Sequence, residues 1–496
     1  MASNSYNLDM DIFNQNDAHI RAIADYLATG ANAGCDHCLG FELEHFVVEA
    51  NSHRLIPYLA SSDDSPGVRD ILERLTDYYH KQVHETQPDG GTWLIGLSRP
   101  GLNITLEPGA QLEVSIGPAL AISEIERIYN DFIAEIYPIL EAYGYELVTL
   151  GYHPTACAGD IPLIPKARYR LMDHHFQTTG RHGICMMRAS ASTQVSIDYS
   201  DEQDCVRKFR IASALGPLLA FITDNSPIFE GNKIGIQVDA RPDDSNHTAL
   251  TCSKLPVPKR MVRMAIWDDV DSARSLITPF TFTDGFGYTS YANTLLSAPA
   301  IFRVQLDENG EPCPLCGQKS EYTDLESFGS VFANTEFTKP LIEHILSLFF
   351  FDTRLKGYME IRVADSLPLE YALAFTALIK GIFYSAEALD QLEKSLAGVD
   401  IADIAAAKAS LREDAFQATV YHRNAADWLD ALLDLAHAGL PTEEQFYLEP
   451  LQELVGARQT LLDLYSPRLS APGEEHDIPE HDIAAQQLYL DAFLAL

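Results

Sequence analysis

Positive charge is scarce in this chain: 35 Lys and Arg stand against 71 Asp and Glu in 496 residues, a formal charge of −36. A field of that sign repels phosphate backbones and anionic lipid heads, so neither nucleic acid nor a membrane is an expected partner. An anionic small substrate remains admissible if divalent cations or a local cluster of arginines receive it. Long apolar runs are missing too; Leu346–Phe351 is far too short to span a bilayer. Eight cysteines in so long a chain make no disulfide scaffold, and residues 1–7 lack the basic-then-apolar pattern of a signal peptide. A reducing cytoplasm is therefore the expected location. No Gly-x-x-x-x-Gly-Lys-Ser/Thr loop occurs, which excludes a P-loop nucleotide site. There is no internal repeat and no low-complexity tract. What is present is ordinary for a globular protein, with 46% hydrophobic and 21% charged residues, enough for a large core or for two or three domains.

Helical periodicity marks Asp17–Ala28, with Asp17 as N-cap and Gly30 as stop. Gly40 to Glu49, with its β-branched tail, reads as a strand, and Val68–Val83 as an amphipathic helix. Gly and Pro then punctuate three β runs, Thr92–Leu97, Asn103–Leu106 and Gln111–Ile116, which suits neighbouring antiparallel strands. Ser123 with Glu126 makes a capping box for a helix reaching Tyr143. The pattern further predicts strands at Glu146–Tyr152, Met186–Tyr199 and Tyr358–Val363. Helices are expected at Lys166–Phe176, Asp201–Thr223 and Lys339–Phe350. Residues 225–335 read as irregular, with 307–322 an exposed insertion, and the chain beyond Pro368 is Ala/Leu-rich and helical. Mixed elements of antiparallel character followed by a helical tail define an α+β protein.

On several of these strands polar groups recur two residues apart against an apolar opposite face. Glu42 and Glu44 form the first set; Gln111, Glu113 and Ser115 the second; Gln194, Ser196 and Asp198 the third; Glu360 and Arg362 the last. Placed side by side they give a sheet with one oily surface and one lined by carboxylates, amides and an arginine. Any single set also describes a solvated antiparallel strand, so the recurrence is the signal. Glu107 precedes Pro108-Gly109, at a turn from which a side chain can lean over the sheet end. Four or five carboxylates with amide support suit Mg²⁺ or Mn²⁺ rather than zinc, and divalent ions with arginine nearby suit ATP-dependent chemistry.

In order along the chain, Gly40-Phe-Glu-Leu-Glu, Leu106-Glu-Pro-Gly-Ala-Gln-Leu-Glu-Val-Ser115, Pro165-Lys-Ala-Arg-Tyr169 and Met186-Met187 resemble the plant-type glutamate–cysteine ligase family. So do Gln194-Val-Ser-Ile-Asp-Tyr-Ser200, Val206-Arg-Lys-Phe-Arg210, Asn225-Ser-Pro-Ile-Phe-Glu-Gly231, Arg263-x-x-x-Trp267-x-x-x-Asp271-x-x-Arg274 and Arg354-Leu-Lys-Gly-Tyr-Met-Glu-Ile-Arg362. The resemblance implies a glutamine-synthetase-like catalytic domain with a curved antiparallel sheet, over residues 1–380 with 303–335 inserted. A helical region over 381–496 would pack on it. It implies substrates L-glutamate, L-cysteine and ATP, with Mg²⁺ or Mn²⁺, and a γ-glutamyl phosphate on the way to γ-glutamylcysteine. Glu42, Glu44, Glu107, Glu113 and Glu360 look like the metal-binding acids, and Gln194 like an amide facing the same metals. Arg362 resembles a phosphate contact; Arg263 and Arg274 a substrate carboxylate or phosphate contact; Trp267 a pocket wall. Lys166, Arg168, Arg207 and Arg210 fit surface or structural ion pairs equally well. Arg188 departs from the family pattern. A sister ligase with a different amine acceptor, or a metal-dependent amide hydrolase using the same acids, are the alternatives.

Cys35, Cys38, Cys313 and Cys316 have the pair spacing of one tetrahedral zinc site, with free thiols as the alternative. His174, His175 and His182 read as exposed loop histidines, and Cys185 and Cys205 as small buried hydrophobes. The acidic clusters Asp268 to Asp271 and Glu474 to Asp482 read as solvated faces, with Asp271 the possible exception.

Overall fold

A strand with apolar side chains to bury must satisfy its backbone by pairing on both edges, and Leu39–Glu49 does so as β1 of a nine-stranded sheet. The computed structural model describes residues 17–31, 37–60, 62, 65–86, 90–230, 232–233, 259–306, 312–314 and 326–469. The other strands of the sheet are β2 (Lys81–Thr86), β3 (Thr92–Arg99), β4 (Leu102–Leu106), β5 (Leu112–Ala119), β6 (Tyr145–Val148), β7 (Ser192–Ile197), β8 (Thr353–Leu355) and β9 (Met359–Asp365). Their order is β8-β9-β7-β1-β5-β4-β3-β2, with β6 paired to the C-terminal half of β1. All of these pairings are antiparallel.

Register decides which side chains share a face. Leu43 lies opposite Val114 and Thr193, Val114 opposite Ile104, and Val195 opposite Phe41 and Ile361. This oily layer is covered by the helices Ile122–Tyr143, Glu202–Ile222 and Leu369–Phe383. Every residue from Ala372 to Phe383 is buried, the mark of a helix enclosed on all sides. Each buried Leu, Ile or Phe contributes about 1.5–3 kcal/mol, so this layer holds the sheet flat side down on its helices. His45 also points into it. Its Nδ1–H donates to the Leu112 carbonyl at 3.0 Å and its Nε2 accepts from Tyr129 Oη at 2.8 Å; burial pulls its pKa down to about 4. The buried apolar cluster is continuous from Ile20 to Tyr465, so the C-terminal helices share it with the sheet. No single helix among the described residues is long and apolar enough to cross a membrane.

Mixed helices with a large antiparallel sheet answer to the expected class, and the helix Asp17–Ala28 has the expected bounds. The strand expected at Glu146–Tyr152 is Tyr145–Val148 and the helix expected at Lys339–Phe350 ends at Leu346; three further differences are larger. The helix starting at Val68 stops at Leu75, and Val83 lies in β2 instead. The segment expected as one strand from Met186 to Tyr199 begins as a helix, Gly183–Ala189, before β7; apolar density alone cannot separate the two. The helix Ile122–Tyr143 has Ala121 as N-cap with no side-chain cap, so the Ser123/Glu126 box is absent; the Ile122 N–H donates instead to Glu444 Oε1 at 2.9 Å. Of the 303–335 segment, Val304–Leu306 pairs with Pro312–Pro314 and Phe328–Val331 is helical, while 307–311 and 315–325 lie outside the described residues. Cys35, Cys316 and the Glu474 to Asp482 cluster also lie outside them, and with them the zinc reading.

Candidate active site

Residues opposite one another on antiparallel strands point the same way, and the second face of the sheet is polar from β8 to β4. Glu44 stands opposite Glu113, and Glu113 opposite Thr105. Glu42 stands between Ser115 on β5 and Gln194 on β7. Glu360 lies opposite Ser196 on β7 and Arg354 on β8. Glu107 follows β4 in a tight turn, where its N–H donates to Gln111 O and the Ala110 N–H to Glu107 O, both at 2.9 Å. One carboxylate oxygen each from Glu44, Glu107 and Glu113 lies within 4.8 Å of the others.

Three carboxylates so placed repel one another. Burial, then Glu113, pushes Glu44 up to about 7; burial, then Glu44, pushes Glu107 up to about 7; burial, then Glu107, raises Glu113. Glu42 is pushed up to about 8 by burial, then by Glu113 and Glu360. Hydroxyls and amides aim the acids. Ser192 gives Glu44 its N–H at 2.7 Å and its Oγ–H at 2.8 Å, and Gln194 Nε2 donates to the same carboxylate at 3.2 Å. Thr105 and Ser115 donate to Glu113 Oε1 at 2.6 and 3.1 Å.

Glu360 sits differently. It is fully buried and ringed by Arg354 at 2.5 Å, Arg362 at 2.7 Å and Lys356 at 3.0 Å. Burial works to raise its pKa, but these three cations hold it well below the usual carboxylate range. Arg362 also donates to Gln194 Oε1, so β9 and the neighbouring β7 are linked across the face. Arg263 is buried and donates to the Arg362 carbonyl at 3.0 Å, with its guanidinium 5.9 Å from the Trp267 ring centre. Together with Arg362 they line a cavity of only 10 Å³. Arg274 is fully buried, its Nε 2.6 Å from Asp271 Oδ2 and its Nη2 donating to the Pro299 carbonyl at 2.5 Å. Asp271 also takes His175 at 2.8 Å, which makes both buried partners rather than a loop histidine and a solvated acid. Asp268 likewise is tied to Lys408 and Arg412.

Arg207 reaches Asp390 and Glu393, and Arg210 two backbone carbonyls, so both brace the fold. Lys166 and Arg168 add to the electrostatic surroundings of Glu107, and Arg168 also donates to the Ser347 carbonyl at 3.3 Å. Arg188 holds Asp173 through two nitrogens, at 2.8 and 2.7 Å. Sequence reasoning missed the aiming hydroxyls of Thr105 and Ser192, because a lone Ser or Thr on a strand carries no signal until its register is known. Arg354 and Lys356 had one: a hairpin closing at Gly357 brings them back onto Glu360. A larger groove of about 640 Å³ lies elsewhere, lined by Tyr78, Arg99, Glu124, Arg127, Asp131 and Glu135. Arg99 pairs there with Glu135 and Arg127 with Asp131, and Glu124 accepts the Leu120 N–H.

The donor set fits a hard divalent cation: carboxylate oxygens only, close enough to share one ion, and destabilised by one another without it. The model of glutamate-cysteine ligase family 2 matches residues 38–472. The chloroplastic glutamate–cysteine ligase B of Oryza sativa subsp. japonica is 30% identical over 369 residues, 74% of this chain and 66% of that protein. The chloroplastic glutamate–cysteine ligase of Arabidopsis thaliana is 28% identical over 381 residues, 74% of this chain and 63% of that protein. The chain thus spans slightly less than two thirds of their lengths. A crystal structure of a glutamate–cysteine ligase from Francisella tularensis in complex with AMP aligns over 93% of each chain with a TM-score of 0.45 and 15% identity, too loosely to argue from. The relatives are chloroplastic by name, which overturns the cytoplasmic location expected from the sequence.

Proposed function

The chain belongs to glutamate-cysteine ligase family 2, and from that premise we propose that it joins the γ-carboxylate of L-glutamate to the amine of L-cysteine, using ATP. The polar face of the sheet is the reaction surface of a glutamine-synthetase-like catalytic fold. Glu44, Glu107 and Glu113, with Glu42 and Glu360 beside them, would hold Mg²⁺ or Mn²⁺, which would supply positive charge against that of the nucleotide phosphates. The observation that carries this reading is the convergence of acids from β1, β5 and the turn after β4 to within 4.8 Å.

A carboxylate resists attack by an amine until one of its oxygens becomes a leaving group. The glutamate γ-carboxylate oxygen therefore takes the γ-phosphoryl group of ATP, releasing ADP. The cysteine nitrogen then adds to the acyl carbon, the C–O bond to phosphate breaks, phosphate departs with the electron pair, and the nitrogen loses its proton. Arg362 contacts the transferring phosphoryl group, and Arg263 steadies it through the Arg362 carbonyl. For Glu360 to serve as a ligand, its cations must turn toward the phosphates. Trp267 walls the pocket, and Arg274 supports it from behind through Phe350, whose N–H donates to the Arg274 carbonyl at 2.6 Å and whose ring meets Trp267 at 5.6 Å.

Enzyme incubated with ATP, Mg²⁺, glutamate and a panel of amines should release ADP and phosphate with cysteine. Release with another amine and none with cysteine would make it a sister ligase. Hydrolysis of a γ-glutamyl amide without nucleotide would make it an amidase.

A further inference from the structure

We propose that Gln111 is a positioning residue, whose amide fixes the turn carrying Glu107 in reach of Glu44 and Glu113. The proposal rests on reading those three acids as metal ligands. In the sequence Gln111 alternates with Glu113 and Ser115 and so reads as part of the polar face; its side chain does something else. It is buried, with 2% of its surface exposed. Its Oε1 accepts the Gly109 N–H at 2.8 Å, and its Nε2 donates to the carbonyls of Ser190 at 2.8 Å and Arg188 at 3.3 Å. Both ends of the amide are therefore engaged, one inside the turn and one outside it.

The outside partners are themselves fixed. The Arg188 guanidinium holds both oxygens of Asp173 and donates to the Ile161 carbonyl at 3.2 Å, which anchors the backbone that Gln111 grips. Two residues beyond Ser190, Ser192 presents its N–H and hydroxyl to Glu44. One short stretch, residues 188–192, thus sets the place of two acids: Glu44 directly and Glu107 through Gln111. The approach is close. A Cβ on Gly109 would run into the Arg188 carbonyl, and Ala110 takes a left-handed conformation, φ +67°, to complete the turn. Two further bonds, Ile164 N–H to Pro108 O at 2.9 Å and Tyr169 Oη to Leu106 O at 3.1 Å, hold the entry to the turn. Gln111 alone reaches its inner N–H among the described residues.

Outer partners that orient metal ligands are worth about 10–100-fold in metal affinity. Gln111→Leu keeps the bulk and removes both hydrogen-bonding ends; Gln111→Glu keeps the acceptor for Gly109 and sets a carboxylate oxygen against two carbonyls. Leu429→Ala, in the helix Ala425–Gly439, serves as a control that lowers melting temperature far from the acids. Two readouts apply to the full chain: hydrogen exchange of a peptide over residues 106–112 without metal, and Mn²⁺ dissociation followed by electron paramagnetic resonance. Gln111→Leu should speed exchange and weaken Mn²⁺ binding at least tenfold, with Leu429→Ala moving neither. Unchanged exchange and an unchanged dissociation constant would overturn the proposal. Wild-type protein that takes up no Mn²⁺ would overturn the metal reading, while exchange would still decide whether Gln111 holds the turn. Should Gln111→Leu fail to fold, Gln111→Glu carries both readouts.

Discussion

At Glu44 the energetics of a single side chain connect sequence to chemistry. Its carboxyl is pushed up to about 7 from the ordinary 4.5, by burial and then by Glu113. The folded protein therefore binds this proton more readily than the unfolded chain between pH 4.5 and about 7. Ionised Glu44 costs stability in full above pH 7 and nothing below pH 4.5. Glu44→Gln should thus stabilise chelator-treated protein at pH 8 by about 3 kcal/mol, with the gain gone at pH 4.5 and Mg²⁺ restoring the wild type's advantage. Denaturant midpoints at the two pH values measure it, and equal midpoints at pH 8 would refute it. The same substitution, and Glu360→Gln, should lower ADP formation at least ~100-fold in folded protein, since even outer partners of a metal are worth 10–100-fold. The acids were legible because an apolar face forces them to alternate. Arg274 was not: the motif by which it resembles a substrate contact also fits an arginine one helical turn from Asp271, and only burial distinguishes the two.

Whole elements were legible where period and punctuation agreed. β4 and β5 are bounded by Gly101 and by the Pro108-Gly109 turn, and both start within one residue of where the pattern set them, β5 running three residues further. The failures came where an element is short and wholly buried, as at Gly183–Ala189, because six of its seven residues are buried and no amphipathic period survives. Helix contacts were illegible for a related reason: they depend on residues without side chains. The helices Leu369–Phe383 and Ala425–Gly439 approach through Gly381 and Gly439. A Cβ on Gly381 would run into the Ala436 carbonyl, and one on Gly439 into the Gly381 carbonyl. Both obstacles are backbone, which cannot swing aside. Gly381→Ala should therefore cost about 1–3 kcal/mol despite its better helix propensity, measured as a shift in urea midpoint at constant slope. A gain in stability would mean that the two helices can part cheaply.

Across the whole molecule, the C-terminal helices reach the polar face through charge. Lys408, on the helix Ile401–Asp414, is buried between Asp268 Oδ1 at 2.9 Å and Asp352 Oδ2 at 3.0 Å. The Asp352 carbonyl accepts the Arg362 N–H at 3.1 Å, so a residue of the helical region lies two contacts from Arg362. Removing one member of a buried ion pair leaves the other uncompensated, at a cost of about 3–5 kcal/mol. Lys408→Met should lose that much stability, and Lys408→Met with Asp352→Leu should regain part of it, because no buried charge is then stranded at Asp352. Three tryptophans report separate regions: Trp93 on β3, Trp267 beside Arg263, and Trp428 on the helix Ala425–Gly439. With one continuous apolar cluster beneath all three, variants keeping a single tryptophan should unfold at one midpoint, and Lys408→Met should move the three midpoints together. If Trp428 instead lost its signal at lower denaturant than Trp93, the helical region would be a separate folding unit. The link from Lys408 to Arg362 would then be a docking contact rather than part of a shared core.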